Sequence, residues 1–125
     1  MANNMDNSQV STLCQIRDVY RAIYEFESDF QQSYNLGLNE GMLLCSLSIQ
    51  KYSSNELAGV LGLSNSNTSK VIKSVEKKGL IKRIVGKDDK RQMYFVLTNA
   101  GQKKLESIKC AEFTIPESLK PVIKL

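Results

Sequence analysis

Caps and glycines in the middle of the sequence constrain the fold most, because they divide it into short helices. Ser53 followed three residues later by Glu56 is a capping box, and Gly62 is placed to close the helix that this box opens. Ser64 predicts the start of a second helix, which Gly79 stops. Two short helices joined at a glycine are typical of a helix-turn-helix.

Two β-rich runs follow these helices: LIKRIV at residues 80–85 and QMYFVL at residues 92–97, joined by the charged tip GKDDKR. They predict a β-hairpin with a six-residue tip. Thr98 is placed to cap a last helix, which belongs to a C-terminal segment, 99–125, interrupted by two prolines. A helix-turn-helix followed by a hairpin, residues 53–98, predicts a winged helix-turn-helix.

Upstream, residues 9–36 contain neither glycine nor proline and predict one long N-terminal helix. Gly37 is expected to end this helix, and Asn39 is expected to cap the next one. The resulting order is α-α-α-α-β-β-α, a mainly α fold with a small β-hairpin wing (α+β) in a single domain over residues 1–125. Apolar residues recur along the long helix at helical spacing: Leu13, Ile16, Tyr20, Ile23, Phe30 and Tyr34.

That apolar surface is wider than one small domain needs, so we expect the long helix to form a homodimer. The competing interpretation is a helix buried wholly within its own monomer. A C-terminal tail from Thr114 is expected to add a contact across the dimer, because its apolar residues need cover.

The composition argues against an enzyme. The chain has no histidine, which removes the commonest general base and the commonest metal ligand, so we expect neither a metal nor a cofactor. Its cysteines, Cys14, Cys45 and Cys110, are widely spaced and predict reduced thiols. With no signal pattern at the N-terminus and no apolar run of membrane-spanning length, the expected location is the cytoplasm.

Charge is distributed unevenly along the chain. Residues 1–63 carry three basic and seven acidic side chains, a net charge of −4, whereas residues 64–104 carry eleven basic and three acidic ones, a net charge of +8. Such asymmetry favours a polyanion-binding face, with a merely solvated basic surface as the alternative.

The second helix of the helix-turn-helix predicts two faces. Thr68, Val71, Ile72 and Val75 form its apolar stripe, and small polar residues and lysines occupy the opposite side. Small polar groups at the N-terminal end of such a helix can enter a DNA major groove and bond to base edges. Lysines are suited to the flanking phosphates, here Lys73 and Lys77 on the helix and Lys87 on the basic hairpin tip.

Residues 56–105 resemble the core of the MarR family of bacterial winged-helix regulators. The likeness rests on Leu57-Ala58 with Leu61-Gly62, on EKKGLIKR before the wing, on the D-x-R of Asp89 and Arg91, and on LTxxG ending at Gly101. The resemblance implies that Arg91 enters a minor groove while Asp89 holds its guanidinium by a salt bridge. It also implies that six residues lie at or near the major groove: Asn65, Ser66, Asn67, Thr68, Ser69 and Lys70.

The resemblance implies a sequence-specific transcriptional regulator, a repressor by expectation, that binds a pseudo-palindromic double-stranded DNA operator as a dimer. It also implies an effector pocket, for a small molecule that no residue identifies. Only 24 residues follow Gly101, so the second of the family's two C-terminal helices is short or absent. Two other hypotheses remain open: a winged-helix protein–protein module, and a regulator in which Cys14 senses redox state.

Overall fold

The structure is a computed structural model that describes residues 7–109, 113 and 115–123, with side chains from residue 10 onward. Residues 1–6, Cys110 and Thr114 lie outside the described residues. The chain divides into two compact units: residues 1–35 with 112–125, and residues 36–111. No helix in the described part of the chain combines the length and the apolar character needed to cross a membrane.

The first unit is built on α1 (Asn7–Tyr34), which confirms the long N-terminal helix. It ends two residues earlier than the sequence suggested, because Asn35 adopts the left-handed conformation (φ 55°) that terminates helices. Gly37 is therefore not its terminator. Near its C-terminal end, Phe26, Phe30 and Tyr34 pack with Phe113 at ring-centroid distances of 5.0 to 6.3 Å.

The C-terminal segment of the first unit returns to α1. A single 3-10 turn, Glu117–Leu119, packs against this helix, and the side chain of Leu119 is buried. The apolar residues further along the segment, Val122 and Ile123, are exposed in the chain. Among the described residues after α5, the one helical element is this turn at Glu117–Leu119.

The second unit contains the remaining elements: α2 (Leu38–Leu47), α3 (Ser54–Leu61), α4 (Asn65–Lys77), β1 (Ile81–Val85), β2 (Met93–Leu97) and α5 (Asn99–Lys109). The predicted winged-helix order is confirmed. Among the described residues, the largest fully buried side chains are five leucines between Leu36 and Leu105, together with Val75 and Thr68. Burial of large aliphatic side chains from every helix of this unit stabilises it, at about 1.5–3 kcal/mol for each.

Helix caps in the second unit follow the sequence closely. Ser53 and Glu56 form the reciprocal capping box, and Gly62 ends α3 in the left-handed conformation at φ 68°. Thr98 caps α5, since its hydroxyl accepts a hydrogen bond from Gly101 N at 3.0 Å. The expected Asn39 cap is wrong: α2 begins two residues earlier, with Gly37 as its N-cap.

The wing is an antiparallel pair in which Ile81 is paired with Leu97 and Val85 with Met93. A backbone bridge at Tyr52 extends the ladder, because Phe95 N donates to Tyr52 O at 2.8 Å. The base of the wing lies against α5 so closely that a Cβ at Gly101 would overlap the carbonyl oxygen of Leu80. Only glycine fits there, which explains the last position of the LTxxG motif.

Candidate nucleic-acid interface

Helix α4 has the two faces that the sequence predicted. Thr68, Ile72 and Val75 are buried, whereas the polar side forms one exposed surface. We call this surface the polar face of α4; its exposed members are Asn65, Ser66, Asn67, Ser69, Lys70, Lys73 and Lys77. All seven were candidate DNA contacts.

Thr68, expected at or near the major groove, does not belong to the polar face of α4. Its side chain has no exposed surface, and its hydroxyl donates to the carbonyl oxygen of Ser64 at 2.8 Å. A fully buried hydroxyl that is satisfied inside the protein is not available to a base edge. Thr68 therefore packs against the core and stabilises the first turn of α4, as its place in the apolar stripe indicated.

The N-terminal turn of α4 is electropositive. Ser64 Oγ accepts a hydrogen bond from Asn67 N at 3.0 Å, which satisfies one of the amides that a helix start leaves without an intrahelical partner. The first turn contains no acidic side chain. The helix dipole and the remaining amides therefore favour a negatively charged ligand at this end.

The wing tip is shaped by its own backbone. Gly86 N donates to Gln92 O at 2.9 Å, and Gln92 N donates to Asp89 O at 3.0 Å. Asp89 Oδ1 accepts from Arg91 N at 3.0 Å and lies 3.4 Å from Arg91 Nε. The shorter of these contacts orders the loop as an Asx turn, and the longer one is a weak restraint on the guanidinium. The Arg91 side chain is 93% exposed, so it projects from the tip into solvent.

Lys87 and Lys90 are also exposed on the tip, which gives the wing three cations near its end. The structure thus places two basic surfaces, the polar face of α4 and the wing tip, in the same compact unit.

One ion pair that the sequence did not predict joins α4 to the wing. Arg83 on β1 donates from Nε and Nη2 to the two carboxylate oxygens of Glu76, at 2.9 and 3.0 Å. These hydrogen bonds, together with the charge of Arg83, hold the pKa of Glu76 below its usual range. The same guanidinium lies over the Phe95 ring, with its carbon 5.4 Å from the ring centroid. The only carboxylate of α4 is thereby neutralised by a neighbour in its own unit.

A second unforeseen network surrounds Glu40 in the first turn of α2. Glu40 Oε1 accepts from Gly37 N at 2.8 Å, and Oε2 accepts from Ser74 Oγ at 2.7 Å. Lys78 Nζ lies 3.1 Å from both oxygens. Burial alone would raise the pKa of Glu40, but the hydrogen bonds from Gly37, Ser74 and Lys78 outweigh it, so the pKa is lowered. The sequence contained a local signal for one of these contacts, because Glu40 lies three residues after Gly37 and can therefore accept from its amide.

This lowered pKa predicts how stability depends on pH. Because the folded-state pKa of Glu40 lies below the ordinary value of 4.5, its stabilising contribution is complete above about pH 4.5 and is lost as pH falls through the folded-state pKa. Glu40→Gln should lower the unfolding free energy at pH 7 by about 1–2 kcal/mol, since an amide accepts through only one of its terminal atoms. Urea unfolding between pH 7 and pH 3 should show this difference shrinking.

Glu106→Gln supplies the matched control, because Glu106 is an exposed carboxylate on α5. We expect it to change stability by less than about 0.5 kcal/mol throughout. A Glu40→Gln deficit that stays constant down to pH 3 would contradict the assignment.

The other candidate residue, Cys14, lies half-buried on α1. Its proposed redox role stays a prediction. Across the described residues, no group of histidine, cysteine, aspartate or glutamate side chains is arranged to hold a metal ion.

Comparison with known proteins agrees with this geometry. The model of the MarR family matches residues 39–93, which run from α2 to the start of β2 and include the helix-turn-helix and the wing tip. The resemblance to the MarR family seen in the sequence is therefore confirmed. No curated protein sequence matches the chain.

Solved structures match over most of the chain. AbsC, a MarR family transcriptional regulator from Streptomyces coelicolor, has a TM-score of 0.75 at 22% identity, covering 87% of this chain and 75% of its own. BldR, a transcriptional regulator from Sulfolobus solfataricus, has a TM-score of 0.70 at 24% identity, covering 85% and 76%. MepR of S. aureus, solved as a complex with DNA, has a TM-score of 0.61 at 22% identity, covering 75% and 78%. These likenesses establish the winged-helix fold.

Proposed function

Starting from a MarR-like core at residues 39–93, we propose that this protein is a transcriptional regulator that binds double-stranded DNA in a sequence-specific manner. The observation that carries the proposal is the polar face of α4: seven exposed small polar or lysine side chains on one side of a helix whose N-terminal turn is electropositive. The DNA complex formed by MepR, which has the same fold, supports it.

The proposed docking places α4 in the major groove. Asn65, Ser66 and Asn67 are short enough to approach base edges, and asparagine suits adenine, which it can contact through two hydrogen bonds. Lys73 and Lys77 lie two to three turns further along, within reach of the sugar-phosphate backbone. The wing tip carries Arg91 toward the adjacent minor groove, where negative potential is concentrated.

This docking assigns different tasks to neighbouring side chains. Lys73→Ala should weaken binding to all duplexes by a similar factor and should lower the slope of log K against log salt by about 0.9, because one phosphate contact is lost. Asn65→Ala should instead change which sequences bind and leave the salt slope intact. Both effects are measurable by fluorescence anisotropy over a salt series.

The control is Lys103→Ala, which removes the same charge from an exposed position on α5. It should shift the salt slope far less than Lys73→Ala. If Lys73→Ala changed which sequences bind but left the salt slope unchanged, the assignment of Lys73 to a phosphate and of Asn65 to a base edge would be wrong.

We further propose that the regulator is a homodimer held together by α1. This helix exposes large apolar side chains along one stripe, among them Leu13, Ile16, Tyr20 and Tyr24 at 56% to 76% exposure. Exposed apolar patches on this scale mark interaction surfaces. A two-fold dimer would present two α4 helices, which matches a pseudo-palindromic operator with half-sites about 34–36 Å apart.

Repression is the regulatory sign we propose, because a dimer that covers a promoter excludes polymerase without any further contact. A reporter fused to the bound promoter should gain expression when the protein is deleted. Loss of expression would indicate activation.

A further inference from the structure

The C-terminal half of α4 and its C-cap residue, Lys78, are tied to neighbouring elements by three side chains. Ser74 and Lys78 reach Glu40 on α2, and Glu76 reaches Arg83 on β1. The exposed N-terminal turns of the same helix carry the candidate base contacts. The polar ties to neighbouring elements therefore lie at the C-terminal end of α4, whereas at its N-terminal end the buried Thr68 holds the inner side and the candidate base contacts face solvent.

The anchor on α2 is more enclosed than an ordinary surface pair. The Glu40 side chain is 12% exposed and that of Lys78 is 32% exposed. Glu40 is itself fixed by its contact with Gly37 N at 2.8 Å, so it cannot follow a moving partner without uncapping α2. Charge-assisted hydrogen bonds to a carboxylate held in this way are strong and directional.

The contacts of Glu40 with Ser74 and Lys78 matter for DNA recognition because a small tilt of α4 at Ser74 displaces its N-terminal turn. Nine residues separate Ser74 from Asn65, which corresponds to about 13 Å along the helix. A tilt of about 10° at Ser74 would move the N-terminal turn by about 2 Å, more than a hydrogen bond to a base edge tolerates.

From these contacts we propose that Glu40 is a positioning residue for DNA recognition: through Ser74 and Lys78 it sets the angle and depth at which α4 presents its N-terminal residues. The inference rests on the proposed function. It gives adjacent lysines different tasks, because Lys77 is exposed on the polar face and binds phosphate, whereas Lys78 belongs to the anchor.

The contrast between these two lysines supplies the experiment. Lys77→Met and Lys78→Met remove the same charge one residue apart. Each variant is titrated with two probes: a duplex selected by the wild-type protein from a randomised library, and poly(dI-dC) as non-specific DNA. We expect Lys77→Met to weaken both complexes and to lower both salt slopes by about 0.9. We expect Lys78→Met to weaken the selected complex about tenfold while leaving the affinity and salt slope on poly(dI-dC) unchanged.

Two further variants separate positioning from charge and from folding. Ser74→Ala keeps every charge and leaves the Gly37 cap of α2 intact, and it should lower selectivity in the same direction as Lys78→Met. The double variant Glu40→Gln/Lys78→Met should bind the selected duplex no more weakly than its weaker parent, because both changes break one anchor. Losses that multiply, or a salt slope lowered by Lys78→Met as much as by Lys77→Met, would overturn the proposal.

A measurement without DNA keeps this inference distinct from the proposed function. Amide hydrogen exchange along α4 should be faster in Lys78→Met than in Lys77→Met, since only the former releases the helix. Failure of the wild type to select any duplex would refute the proposed function. Equal α4 protection in the two variants would refute the anchor, whatever the outcome of selection.

Discussion

Replacing Ile16 and Ile23 together by aspartate should convert the protein to a monomer and weaken binding to a palindromic duplex on the order of a thousandfold. The two side chains are 56% and 43% exposed and lie seven residues apart, so they share one stripe of α1. Leu13 and Tyr20 continue the same three-and-four spacing, the arrangement that pairs helices in coiled coils. Two carboxylates on such a seam would have to be buried without partners.

Sedimentation and DNA titration of the same samples measure both consequences. The matched control is Ser28→Asp with Gln32→Asp, which adds two carboxylates at exposed positions of α1 about 120–160° around the helix from Ile16. The control should remain dimeric and bind normally. A monomeric Ile16→Asp/Ile23→Asp protein that retains full affinity for the palindrome would leave the dimer without a role in recognition.

Arg91→Ala should weaken the complex with the selected duplex about tenfold to a hundredfold, while the unfolding free energy changes by less than about 0.5 kcal/mol. The side chain is 93% exposed and its strongest loop contact is made by its backbone N–H, so folding does not depend on the guanidinium. DNA affinity and thermal unfolding are measured on the same variant.

Lys90→Ala is the control for Arg91→Ala, because it removes one positive charge from the adjacent exposed position. We expect it to cost much less affinity than Arg91→Ala, since a planar guanidinium fits a narrow groove in a way that an ammonium group does not. Equal losses would mean that the wing tip contributes charge alone. No loss in either variant would remove the wing from the interface.

Much of the fold was predictable because its boundaries are set by local chemistry. Ser53 with Glu56, Gly62, Ser64 and Thr98 all act within three or four residues, and the structure confirms each of them. The predicted start of α2 was wrong because two local signals compete there. Asn39 is a good cap by composition, but Gly37 is the N-cap, with Glu40 bonded to its amide.

Local sequence patterns could not predict contacts between residues that are far apart in the sequence. Glu40 meets Ser74 and Lys78 at separations of 34 and 38 residues. A sequence shows that a carboxylate and a lysine are present, but the packing of α2 on α4 decides that they meet. Glu76 has lysines beside it on its own helix, but the structure pairs it with Arg83 of the wing.

Thr68 shows the limit of carrying a family's residues over by position. Its place in the run SNSNTS favoured DNA, while helical periodicity placed it with Ile72 and Val75. The structure buries it completely, so periodicity was the better guide at that position.

Sequence-specific DNA binding by a dimer is tested most directly by a footprint of the wild-type protein on the duplex it selects from a randomised library. We expect two protected half-sites related by a two-fold axis, with centres about one helical turn apart, and an affinity that falls steeply with salt. Selection of no duplex, or affinity that is independent of salt, would contradict it.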